Sequence, residues 1–153
     1  MLPQLNNYFD LLQKLDYDLG RYKNNNDVYG LLDCLMDLSA LPEWIENSNE
    51  ASEALRDLAG EKISIMQGKN FTFKEDKLDV DINQKLRFIR MTCNHAKHKN
   101  AGREIPVIKK FAGSFPYSLP FKFGTYIVIG SKEIDAEILI NDVAAFWKNE
   151  IFK

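Results

Sequence analysis

With 153 residues, 45% hydrophobic and 27% charged, the chain has ordinary globular composition and length for one domain with a sizeable core. Its net charge of −2 says little by itself, and two cysteines, Cys34 and Cys93, make no disulfide framework; both fall on apolar helix faces and read as buried thiols of a reducing compartment. No apolar run reaches about 18 residues and no basic-then-apolar leader opens the chain, so a soluble, cytoplasmic protein without a membrane partner is expected.

Residues 3–23 read as a first helix, with Leu5, Tyr8, Phe9, Leu12, Leu15, Leu19 and Tyr22 at helical spacing and Gly20 weakening its last turn. Asn24-Asn25-Asn26 is a turn, and Asp27 caps a second helix lined by Val28, Leu31, Leu32, Leu35 and Leu38. Pro42 of Leu41-Pro42-Glu43-Trp44 sits where a short helical turn restarts, with Trp44 as a core anchor. Residues 50–59 read as a third helix closed by Gly60, and Gly68 to Asp81 as loop, although Ile63, Ile65 and Met66 could continue the helix.

The segment 82–99 concentrates more polar chemistry than any other. Asp81 followed by Gln84 suits a capping-box start, and Asn100 with Gly102 suits its end. Leu86, Ile89, Cys93 and Ala96 form an apolar stripe, which makes this the expected central helix. Beside the stripe fall Lys97, Arg90, Asn94, Arg87 and His98, whereas His95 lies about 140° from Arg90 on an ideal helix. Arg90, Asn94 and His98 are therefore expected in a half-buried pocket, with Lys97 at its edge and His95 more exposed or facing a partner chain. A histidine there can serve as general acid or base, and nearby Arg and Lys would lower its pKa and bind anionic oxygens. The competing reading is a solvated flank whose long stems cover apolar surface. Cys93, His95 and His98 spread round the helix, so no metal and no cofactor is expected.

Residues 103–123 carry Pro106, Pro116, Pro120 and Gly113 among aromatics, which disfavours helix. Tyr126–Ile129 and Ile134–Ile140 read as a hairpin joined by a type II′ turn at Gly130-Ser131, and Asn141 caps a closing helix with Phe146 and Trp147. The expected fold is mainly α (α+β): a helical bundle over 1–102, then loop, hairpin and C-terminal helix over 103–153, all one domain.

Charge is unevenly spread. Residues 1–86 hold 16 acidic and 9 basic side chains, while 87–122 hold 8 basic ones against Glu104 alone. A basic, aromatic-rich segment suits a phosphate backbone with stacked bases; the alternative is neutralisation by the acidic N-terminal helices. The aromatic 103–123 segment and the polar flank need cover, so a homodimer is expected.

Arg90 and His95, with four residues between them, fit the arginine–four-to-six–histidine signature of the HEPN superfamily, which the chain resembles. Three segments in order, Leu41-Pro42-Glu43-Trp44, Asn94-His95-Ala96-Lys97-His98 and Phe146-Trp147, are similar to a pattern of small bacterial proteins. Those carry Leu-Pro-x-Trp, Asn-x-x-Lys-His and Phe-Trp segments. The resemblance implies a HEPN-like bundle and homodimers whose motif helices meet in a cleft. Many such proteins are metal-independent ribonucleases of toxin or defence systems. Arg90, Asn94, His98 and His95 are the candidate catalytic residues, and Arg87, Lys97, Lys99 and Arg103 the candidate RNA phosphate ligands. Met91 departs from the polar residue often found after the arginine. Three functions stay open: an RNA-cleaving enzyme, an RNA-binding module, and a non-catalytic interaction protein with a cognate partner, for example in a toxin–antitoxin pair.

Overall fold

Short polar side chains open the helices by accepting backbone N–H groups that the first turn leaves without partners. Asn7 accepts from Asp10 N at 3.0 Å and starts α1, Tyr8–Asn25; Asp27 accepts from Tyr29 N at 3.0 Å and starts α2, Val28–Glu46. Ser52 does the same for α3, Glu53–Met66, through Leu55 N at 3.1 Å. The computed structural model describes residues 5–98, 106–111 and 124–153.

Several boundaries differ from the expectation. α1 begins at Tyr8 and absorbs Asn24 and Asn25, leaving Asn26 alone in the left-handed region at φ 49°, which asparagine tolerates. α2 runs unbroken through Pro42, because Leu41, Pro42 and Ile45 are all buried and packing outweighs one lost backbone bond. α3 continues past Gly60, where an added Cβ would stand 3.1 Å from Glu46 Oε1, the end of an α2 side chain that lies over it. The helix closes instead at Gly68, φ +76°: Gly68 N donates to Ile65 O at 2.9 Å and Lys69 N to Ser64 O at 3.0 Å, the two bonds of a Schellman cap.

A 3-10 turn at Glu75–Lys77 leads into α4, Ile82–His98. Asp81 starts it by accepting from Asn83 N at 2.9 Å, but Gln84 does not close a capping box; its Oε1 accepts Lys74 N at 2.8 Å and pins the preceding loop. The expected stop at Asn100 and Gly102 lies outside the described residues.

Among the described residues three strands, not two, form the sheet: β1 Val107–Phe111, β2 Gly124–Ile129 and β3 Lys132–Asp135, antiparallel in that order. Ile129 pairs with Lys132 across Gly130 and Ser131. Gly130 has φ 56° and Ser131 is not at positive φ, the type II′ signature. Residues 136–140 are helical rather than strand, since Asp135 caps α5, Ala136–Ile151, through Ile138 N at 3.0 Å. Ala136, Leu139, Ile140, Val143, Ala144 and Trp147 are all buried, a helical and not an alternating period. The molecule is thus mainly helical with a small sheet.

The hub is α2, which packs against α1, α3, α4 and α5; α4 packs against α2, α3 and α5. Leu31, Cys34, Leu35, Leu38, Leu41 and Ile45 of α2 have at most 1% exposure. Trp147 and Phe88 are fully buried in the core, whereas Trp44 is only half-buried. α1 comes close because Gly30 carries no side chain: a Cβ there would meet Tyr22 Cα and N at 3.3 Å. Gly30→Val is expected to cost about 1–3 kcal/mol by wedging this seam, measured by denaturant unfolding.

Candidate functional site

Half of the α4 side chains described, over 82–95, are buried. Gln84, Lys85, Leu86, Phe88, Ile89, Thr92 and Cys93 lie inside, and the helix reaches the surface along a strip containing Arg87, Arg90, Met91 and Asn94. These positions follow at i, i+3, i+4 and i+7, one row on the helix. The buried face is wider than the stripe read from sequence, since it takes in Phe88 and Thr92, whose Oγ1 donates to Phe88 O at 2.9 Å.

That widening reorders the candidates. His95 continues the Phe88–Thr92 row, so it is half-buried, and Asn94 is exposed; the expected order was the reverse. His95 Nδ1 is buried without a hydrogen-bond partner among the described residues. Arg90 reaches Glu43 of α2, Nη1 to Oε1 3.6 Å, with the side chains 27% and 49% exposed. Lys97 and His98 occupy the last turn of α4, but their side chains lie outside the described set, as do Lys99 and Arg103 altogether. Convergence of Arg90, Asn94 and His98 in one pocket therefore also falls outside it.

Arg87 has a structural task. Its Nη1 donates to Met66 O at 2.8 Å, a carbonyl at the C-terminal end of α3, where a cation also meets the negative end of the helix dipole. Gly68 leaves the guanidinium its place, for a Cβ there would lie 3.0 Å from it. Burial, and then the neighbouring Arg90, push the Arg87 pKa below its ordinary value, although a guanidinium stays charged at neutral pH. Other basic groups also tie helices together: Lys62 Nζ bonds Asn83 Oδ1 at 3.0 Å and Lys85 Nζ bonds Asp142 Oδ2 at 2.6 Å.

Glu43 connects the strip to a feature the sequence reading missed. A groove of about 470 Å³ opens between the start of α1 and the end of α2, lined by Asn7, Glu43, Trp44, Asn47, Asn49 and Glu50 among others. Asn47 Nδ2 donates to Glu43 O at 2.9 Å, fixing one amide, and Trp44 offers a partly exposed ring rather than a wholly buried anchor. The available signal was the density of asparagines at two chain positions, 6–7 and 47–49, that end up together. Chemically the groove offers an indole with amide and carboxylate edges, and the strip offers the Arg90 guanidinium beside it.

Among the described residues no three His, Cys, Asp or Glu side chains could hold a metal ion, and no helix is long and apolar enough to cross a membrane. No family model, curated protein or solved structure matches the chain. Arg87→Ala is expected to lower stability by about 1–3 kcal/mol, since Met66 O loses a charged donor; thermal and denaturant unfolding would register it.

Proposed function

We propose that the protein binds single-stranded RNA, with the α4 strip against phosphates and the Trp44 groove holding an adjoining base. The observation that carries this reading is the Arg90–Glu43 contact, which makes the cationic strip and the aromatic groove neighbours. Backbone-tracking cations beside a stacking surface are what sequence-tolerant single-strand binding requires. The groove itself carries Glu43 and Glu50, so it suits the donor edge of a base better than a phosphate. A loose, partly exposed ion pair of this kind contributes little to stability, so a phosphate oxygen can replace Glu43 on Arg90 at small cost.

A second reading, metal-independent RNA cleavage of the HEPN-like kind, is favoured by His95. Its half-buried ring, with Nδ1 lacking a partner among the described residues, follows Arg90 at the spacing of that superfamily's signature. It requires a homodimer that faces two α4 helices across a cleft, in which an imidazole assists attack of a 2′-hydroxyl on the adjacent phosphate.

Anisotropy with a labelled single-stranded decaribonucleotide tests the first reading. Trp44→Ala is expected to weaken binding by about 1–3 kcal/mol, the worth of one stacked base. Arg90→Ala should reduce the salt slope by about one phosphate's worth. A wild type that does not retard RNA at low salt removes the RNA reading and leaves the interaction-protein expectation. Cleavage in EDTA, abolished by His95→Ala or His98→Ala, would select the enzyme; intact RNA with bound protein would select the binder.

A further inference from the structure

The seam between α1 and α2 encloses charge. Lys14 Nζ donates to Asp18 Oδ2 at 2.6 Å and to Asp37 Oδ1 at 2.8 Å, while the two carboxyl residues are only 3% and 5% exposed. The other Asp37 oxygen, Oδ2, is buried with no donor among the described residues. Bound to one Nζ at 2.6 and 2.8 Å, the Asp18 and Asp37 oxygens lie within about 5.4 Å of each other. Two carboxylates cannot hydrogen-bond to each other unless one of them carries a proton. A single proton between them gives the pair its missing donor and leaves two acids and one lysine neutral as a group. Without it, a net negative charge rests on two carboxylates that are themselves almost wholly buried, which is costly.

We propose that Asp18 and Asp37 share one proton beneath Lys14, and that its loss with rising pH loosens the α1–α2 seam. The proposal is independent of RNA binding. The groups facing the pair are Lys14, with Arg21 behind Asp18 at 3.9 Å, from α1, and Cys34 and Asp33 from α2. Arg21 is also paired with Asp33. α5 reaches α1 elsewhere, Lys148 to Asp16 and Glu137 to Lys23, and α4 reaches α2 at Glu43 through Arg90. Lys62 of α3 turns to Asn83 and Glu61.

The titration directions agree with the geometry. Burial, and next the Asp18 side chain, push Asp37 up to about 7 despite Lys14. Burial works to raise Asp18 too, but its hydrogen bonds with Asp37 and Lys14 hold it below the usual carboxylate value. Burial, then Asp18, push the Cys34 thiol up to about 12, so it stays neutral throughout. A raised acid binds its proton more tightly folded than unfolded. Its stabilising contribution is therefore complete below the unfolded value near 4 and is lost as pH rises through about 7.

Carbon-13 carboxyl NMR on the full chain tests this directly. The Asp37 resonance is expected to titrate near pH 7, and Asp18→Asn should lower that midpoint by about one unit or more by removing the neighbouring charge. Between about pH 5 and 7 the wild-type folding constant should fall by up to tenfold per unit, and Asp37→Asn should flatten this slope. Amide exchange in α1, corrected for its intrinsic rate, should accelerate over the same range in the wild type alone. An Asp37 midpoint below about 5 overturns the shared proton, as does a slope unchanged in Asp37→Asn. Unchanged α1 protection across the range overturns the loosening. Should Asp37→Asn not fold, the wild-type resonance decides.

Discussion

Helix α2 has to pack against four other helices at once, and the remaining elements follow from that demand. A helix so enclosed must be apolar over most of its circumference, which Leu31, Cys34, Leu35, Leu38, Leu41 and Ile45 supply. It also explains why Pro42 is carried inside the helix, since tight packing on both sides offsets the missing bond. Asp37 is the exception that α1 must answer, and Lys14 answers it. Gly30 lets the α1 backbone come near enough at the other end of the same seam.

Much of this is legible as period. The runs at Leu12, Leu15 and Tyr22, at Leu31, Leu35 and Leu38, and at Leu86, Ile89 and Cys93 are buried where a helical repeat puts them. Gly130-Ser131 specifies the β2–β3 turn. The misleading residues are those whose partners are distant in sequence. Gly60 has the chemistry of a helix stop but serves a contact with Glu46, while Gly68 provides the real cap. The run from Ile134 to Ile140 contains a strand end and a helix start, and Asp135 divides them by capping. β1 is an edge strand whose pairing with β2 becomes visible only in three dimensions.

The site is legible in part. The sequence marks α4 as the chemically rich helix, and its polar row does reach the surface. Which of its groups are engaged cannot be read, because Arg87 is claimed by the α3 carboxyl end and Arg90 by Glu43, both far away in the chain. Counting Phe88 as buried would place His95 correctly on the margin of the core. Trp44 reads as an anchor because aromatic residues mostly are; its place at the end of α2 leaves one side of it to a groove.

The proposed binding of RNA at this face is tested most directly by amide shift mapping of the isotope-labelled protein with a short single-stranded oligoribonucleotide. Perturbations should gather at Arg90, Asn94 and His95 on α4 and at residues 43–50, on either side of the Arg90–Glu43 contact. Shifts confined to other surfaces, or no shifts at concentrations that saturate a nonspecific basic protein, would contradict it.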